Sequence, residues 1–167
     1  MKKILVLSDS HGYVDNMIEA VKRVKPDMIL HLGDVLVDVK DLEGYFPKIL
    51  VESVPGNCDC TMASTERILE IEGKRILICH GHTYQVKSTY LNLQYAAMEK
   101  EVDVALFGHT HKAFYQNHNG VIMMNPGSIG CPPYGIPPSY GILELDEDSD
   151  EIVYKVEYID ELARGIY

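Results

Sequence analysis

Three things are scarce in this 167-residue chain. No apolar run is long enough to cross a bilayer as a helix, so no membrane partner is expected. The stretch Ile4-Leu5-Val6-Leu7 follows two lysines, but Ser8-Asp9 ends it far short of a secretory signal. The four cysteines, Cys58, Cys60, Cys79 and Cys131, have no CxxC spacing. They read as reduced thiols in a cytoplasmic protein, not as a disulfide framework. Basic residues are few: 15 Lys and Arg stand against 25 Asp and Glu, a formal net charge of −10. That balance argues against a broad footprint on a phosphate backbone and against long nucleic acid as a partner. A nucleophile-elbow motif is also missing, so no serine or cysteine nucleophile is indicated.

What is present reads as one α/β domain over residues 1–167, large enough to bury roughly 70% of its unfolded surface. Apolar runs at Lys3–Ser8, Met28–Leu32, Ile49–Val54 and Val102–Phe107 have the pattern of buried strands. Val14–Val24 carries Met17, Ile18, Val21 and Val24 at helical spacing and stops at Pro26. A short helix is expected over 35–45 and a longer one over 87–100. Hairpins are expected at Gly73, between 66–72 and 74–79, and at Asn119-Gly120, between 113–118 and 121–125. A last strand pair, 140–145 and 151–158, flanks an acidic turn. Mixed strands with outer helices predict a four-layer α-β-β-α sandwich of two mixed β-sheets.

Five polar segments follow apolar runs: Asp9-Ser10-His11, Gly33-Asp34, Gly56-Asn57-Cys58-Asp59, His80-Gly81-His82 and Gly108-His109-Thr110-His111. Ligands gather at the carboxyl ends of strands in open α/β sheets. Asp9, His11, Asp34, Asn57, His80, His109 and His111 are therefore expected to face one crevice. Their carboxylate, amide and imidazole donors suit a pair of divalent transition metals. Asp34, with two oxygens and a charge, is suited to bridge them.

These motifs, D-x-H, G-D, G-N-[HC]-D, G-H and G-H-x-H in order, resemble the calcineurin-like metallophosphoesterase family. The match runs from Asp9 to about Leu145. Asn125-Pro126-Gly127-Ser128 is also similar to the small bacterial and archaeal phosphodiesterases of the YfcE type. The resemblance implies two divalent ions per chain, with Asp9, His11 and His111 on one, Asn57, His80 and His109 on the other, and Asp34 on both. Manganese is the first choice, with nickel, cobalt, iron and zinc open. It implies hydrolysis of a small phosphodiester by a metal-bridging hydroxide, and a homodimer or homotetramer. The alternatives are a phosphomonoesterase or protein phosphatase of the same family, or a non-catalytic scaffold like that of the retromer complex.

The catalytic candidates are Asp34, Asn57, Cys58, Asp59 and His82. Many family members carry His where this chain has Cys58, and that His is credited with assisting the leaving oxygen. A thiol with a pKa near 8.5 supplies neither a cation nor a good acid at neutral pH. Asp59 then lacks an imidazole partner and is free to orient a metal ligand. His82 is expected beside the ligands or facing substrate. His31 reads as a satisfied buried histidine, and His118 as exposed. Cys79 is expected in the core, and Cys60 and Cys131 as small buried or half-exposed residues. Tyr84, Tyr90 and Tyr95 read as core and rim. The Pro- and Gly-rich segment 126–138 has three readings: a loop closing over substrate, a subunit contact, or a rigid turn.

Overall fold

The computed structural model describes residues 1–159. Its elements run β1 (Lys2–Leu7), α1 (Val14–Val24), β2 (Met28–His31), α2 (Val37–Tyr45), β3 (Leu50–Ser53), β4 (Glu66–Ile71), β5 (Lys74–Cys79), a 3₁₀ turn (His82–Tyr84), α3 (Leu91–Glu99), β6 (Val104–Leu106), β7 (Ala113–His118), β8 (Val121–Pro126), β9 (Ser139–Leu145) and β10 (Val153–Tyr158). They form two five-stranded sheets, ordered β10-β9-β1-β2-β3 and β4-β5-β6-β8-β7. Both are mixed. β1, β2 and β3 are parallel, as are β5, β6 and β8, while β9, β10, β4 and β7 run against their neighbours.

Period-two alternation in the strands builds three cores. Ile4 and Val6 of β1 face the other sheet, where they join Leu30, Ile76, Ile78, Leu106 and Met124. Leu5 and Leu7 face outward and are covered by Met17, Ala20 and Val21 of α1 and Leu42 of α2. Leu77, Ala105 and Met123 meet Leu93 and Ala97 of α3 on the far side. The order of layers is thus helix, sheet, sheet, helix, as expected.

Two helices are shorter than their sequence pattern suggests. The second starts at Val37 because Asp34 and Val35 take left-handed φ angles of 61° and 66°, which no helix accommodates. The third starts at Leu91, not at Lys87. Gln85 is left-handed (φ 55°), the amides of Ser88 and Thr89 both turn back onto the Gln85 carbonyl, and the Leu91 amide donates to Thr89 Oγ1 (3.2 Å). These bonds satisfy the backbone in turns and leave only 91–99 to the helix. Among the described residues, no helix is long and apolar enough to cross a membrane.

Candidate metal centre

The five polar segments leave β1, β2, β3, β5 and β6 at their carboxyl ends. Backbone hydrogen bonds sew them together: Asp9 N–H to Gly33 O (3.0 Å) and Gly108 N–H to His80 O (2.8 Å). Five of the seven expected ligands hold left-handed φ angles: Asp9 (55°), His11 (44°), Asp34 (61°), His109 (70°) and His111 (61°). Backbone strain of this kind persists only where the surroundings impose it, and it clusters at functional sites. Two glycines permit the close approach. A Cβ on Gly56 would overlap Asp34 Oδ1, and one on Gly108 would overlap Ser8 Oγ and crowd Asp9 Oδ2.

Asp9 is fully buried. Its Oδ2 accepts bonds from Ser8 Oγ (2.7 Å) and the His109 amide (3.1 Å). Its Oδ1 has no hydrogen-bond partner, yet His111, His80 and His11 present Nε2 atoms 3.3, 3.6 and 4.0 Å away. Asp34 Oδ1 accepts the Cys58 amide (2.9 Å). Its Oδ2 stands 3.3 Å from His80 Nε2 and 3.5 Å from His11 Nε2, between the two imidazoles. His109 Nδ1 lies 3.2 Å from His80 Nε2. The donor atoms of Asp9, His11, Asp34 and His111 all fall within 4.8 Å of one another.

The far side of two rings is anchored as ligating imidazoles require. His80 Nδ1 donates to Leu32 O (2.8 Å), and His111 Nδ1 donates to Cys131 O (2.7 Å), so each presents Nε2 to the centre. His11 Nε2 is buried without a hydrogen-bond partner, like the Asp9 oxygen it faces. Buried polar atoms are rarely left unpaired. Carboxylates and imidazoles turned inward onto unpartnered atoms fit divalent cations well.

Residues 1–148 match the calcineurin-like phosphoesterase superfamily domain. The chain belongs to that family. It is 37% identical over 150 residues to the Bacillus subtilis protein named "Probable metallophosphoesterase YsnB", covering 87% of this chain and 86% of that one. It is 28% identical over 172 residues to the protein named phosphodiesterase YfcE of Escherichia coli K12, covering 87% and 89%. Among solved structures, a predicted phosphoesterase from Streptococcus pneumoniae aligns with a TM-score of 0.75 at 27% identity, over 92% of this chain and 88% of that one. This chain is therefore a metallophosphoesterase by family, with the family's sandwich fold and a cluster suited to metal.

The cluster divides electrostatically. Burial pushes both carboxyl groups up, but their neighbours prevail and hold both below the ordinary carboxylate range. For Asp9 those neighbours are His111 and His80, and for Asp34 they are His80 and the Cys58 amide. Burial pulls His80 down, but Asp34 and Asp9 raise it on balance. His111 is raised, chiefly by Asp9. His109 is pushed down to about 4 by burial and by the adjacent His80 and Lys87. Ionised carboxylates beside readily protonated imidazoles mean that a cation would bind here by displacing protons.

The remaining candidates take distinct places. The Asn57 amide is exposed and donates to Cys58 Sγ (3.7 Å); among the described residues no hydrogen bond joins it to the carboxylate and imidazole cluster. That loop reaches the cluster through the Cys58 amide instead. The Cys58 thiol is exposed, and burial of its surroundings together with Asp34 and Asp59 raises its pKa. Among the described residues, no hydrogen bond joins Asp59 to the clustered carboxylates and imidazoles. Its carboxylate accepts the amides of Leu36 (2.7 Å) and Gly56 (2.8 Å), fastening the loop after Asp34 to the loop before Asn57. His82 packs its ring 5.5 Å from His80 and 6.1 Å from His109, with Nδ1 buried and unpartnered. Burial, then His80, lowers its pKa.

The first half of the Pro- and Gly-rich segment is a strap across the site. Asn125 Nδ2 donates to Gly108 O and Thr110 Oγ1 (both 3.0 Å). Ser128 Oγ donates to Asp9 O (2.8 Å) and accepts the Cys131 amide (2.7 Å), which places the carbonyl that holds His111. Cys60 and Cys131 are exposed, while Cys79 is buried with its thiol pKa pushed up. Tyr84 bonds Glu66 (2.6 Å), Tyr90 packs on Phe107 and Phe114, and Tyr95 and His118 are exposed.

Sequence reading missed a relay behind the two acidic loops. Fully buried His31 accepts the Gly33 amide at Nδ1 (3.1 Å) and meets Ser10 Oγ at Nε2 (3.1 Å). Ser10 Oγ donates to Asp38 Oδ2 (2.7 Å), which also accepts the Gly12 amide (2.7 Å). Burial pushes His31 down to about 4 from its ordinary 6.5. The unfolded chain thus binds a proton between those values that the folded chain refuses. Stability is present above 6.5 and is lost as pH falls toward 4. The loss is on the order of 3 kcal/mol. His80 and His111 act at higher pH, since groups with raised values contribute fully below 6.5. Thermal melts in chelator from pH 7 to pH 4 should therefore fall more steeply for the natural chain than for His31→Gln. Parallel profiles would contradict a neutral, buried His31.

Proposed function

We propose that this chain is a phosphodiesterase that cleaves small diesters at a two-ion centre, with Asp34 shared between the ions. One observation carries the reading: Asp34 Oδ2 stands between His11 Nε2 (3.5 Å) and His80 Nε2 (3.3 Å). Asp9, His11 and His111 form one group beside it; His80 and His109 begin the other, which Asn57 would complete only by turning its exposed amide toward them. Bound divalent ions would supply Lewis-acid charge for a phosphoryl group and lower the pKa of water enough for attack. The chain's own residues fix the donors. The Leu32 and Cys131 carbonyls turn His80 and His111 inward, and the Cys58 amide leaves Asp34 Oδ2 as the oxygen that faces His11 and His80 and would hold the ions.

The full set of carboxylates and imidazoles supports an enzyme over a scaffold. The similarity to the YfcE protein supports diesters over monoesters. The acidic balance of the chain supports a small substrate over long nucleic acid, and reduced cysteines support a cytoplasmic setting.

Calorimetric titration of chelator-treated protein with Mn²⁺ should reveal two sites per chain, and anomalous scattering should place two ions within bridging distance. The loaded protein should hydrolyse bis(p-nitrophenyl) phosphate faster than p-nitrophenyl phosphate. A single ion at saturation would overturn the shared-carboxylate centre. A monoester preference would assign the chain to the phosphomonoesterases.

A further inference from the structure

Ser10 sits between the left-handed residues Asp9 and His11, and its hydroxyl points away from the ligands into the buried relay of His31 and Asp38. The hydrogen bonds fix every proton in that relay. A backbone amide can only donate, so His31 Nδ1, which receives the Gly33 amide, carries a lone pair. The neutral ring therefore has its proton on Nε2, which donates to Ser10 Oγ. Ser10 then gives its one proton to the nearer of two acceptors, Asp38 Oδ2 at 2.7 Å against the Asp34 carbonyl at 3.4 Å. Asp38 also holds the Gly12 amide, just past His11.

The residue types are those of a serine hydrolase, but the wiring is not. A triad needs an imidazole lone pair aimed at the serine and the carboxylate behind the ring. Here the imidazole offers a proton to the serine, and the carboxylate bonds the serine directly. All three side chains are buried, so Ser10 is no nucleophile. What the relay does is join two loops. One end grips the Gly33 amide beside Asp34; the middle grips Ser10 between Asp9 and His11; the far end grips Gly12. The left-handed angles of Asp9, His11 and Asp34 require such an outside constraint.

We infer that His31, acting through Ser10 and Asp38, is a positioning residue that holds Asp9, His11 and Asp34 at the separation a metal ion requires. This rests on the metal-centre reading above. His31 touches neither substrate nor ion, so its loss should show first in ion affinity.

The test is Mn²⁺ calorimetry and metal-free melting of His31→Gln, Ser10→Ala and the double variant. His31→Gln keeps a donor toward Ser10 and loses the acceptor for the Gly33 amide. Ser10→Ala removes one oxygen from the middle of the relay and keeps the fold assessable if the ring substitution is poorly tolerated. Each single variant should raise the Mn²⁺ Kd by about 10–100-fold, as expected for groups that orient ligands. The double variant should be no worse than the poorer single, because both break one relay. At limiting Mn²⁺, kcat should fall and recover with excess ion, while KM for the diester stays within about twofold. A role in folding alone would lower the metal-free melting temperature and leave the Kd of the folded protein unchanged. That result, or additive losses in the double variant, overturns the assignment. Ion uptake by the natural chain without diester cleavage would overturn the phosphodiesterase reading and leave this one standing. Absence of ion uptake by the natural chain would overturn both.

Discussion

Asp34→Asn is expected to lower turnover of an activated phosphodiester by roughly 10²–10³-fold at the least, the scale set by losing a preorganised electrostatic group. The reason is specific to how this carboxylate is held. The Cys58 amide donates to Oδ1, so the asparagine carbonyl must keep that position. The amide nitrogen then lands where Oδ2 stood, facing His80 and His11 Nε2 atoms. An amide nitrogen offers a metal no lone pair, and the charge is gone as well. Volume and the Cys58 bond are preserved, so a cooperative metal-free melt should survive, lowered only by loss of the charge beside His80. The increment on adding Mn²⁺ should not. At an ion concentration of 100 times Kd, binding stabilises by about 2.7 kcal/mol; a hundredfold weaker site gains about 0.4 kcal/mol at the same concentration. Near-normal turnover at matched ion loading would show that Asp34 is not shared between ions.

What could be read in advance follows the range of the forces involved. α1 begins and ends as its apolar spacing indicates, because Met17, Ala20, Val21 and Val24 make one face and Lys25 closes it with a left-handed cap. The hairpin turns at Glu72-Gly73 and Asn119-Gly120 were legible for the same local reason, and both residues of each turn take positive φ. The start of α3 was not, because Lys87–Tyr90 is compatible with a helix and only the left-handed Gln85 and the Thr89 hydroxyl decide otherwise. Four of the five polar segments at strand ends bring carboxylate or imidazole groups into the candidate site. Their supports were invisible: His31 finds partners at Ser10, 21 residues away, and Ser128 reaches Asp9, 119 residues away. Sequence pattern shows that His31 is a buried strand residue. It does not show that its two ring nitrogens tie two ligand loops together. Asp59 illustrates the same limit, since its backbone partners Leu36 and Gly56 come from two different loops.

Hydrolysis is expected to depend steeply on the pKa of the leaving group, because position 58, whose amide bonds Asp34, carries a thiol. The Cys58 amide bonds the Asp34 carboxylate, which places its side chain at the edge of the cluster. Burial, Asp34 and Asp59 all raise the thiol pKa, so at neutral pH the group is uncharged and a reluctant donor. A nitrophenolate departs without a proton, and aryl diesters should turn over well. An alkoxide does not, and dialkyl or alkyl-aryl esters losing the alkyl group should lag by about 10²–10⁴-fold, the usual worth of general acid catalysis. Cys58→His should narrow that gap. Each Asp59 oxygen already accepts a backbone amide, but each keeps a second lone pair for the new imidazole. The measurement is a plot of log kcat against leaving-group pKa, taken where chemistry limits turnover. A flat plot for the natural chain would mean that another donor serves the leaving oxygen. His82 is then the group to remove, since its ring lies against His80 and His109 and its Nδ1 is buried without a partner. If His82→Ala restores the slope, the proton comes from His82; if the plot stays flat, the thiol at position 58 has no bearing on leaving-group departure.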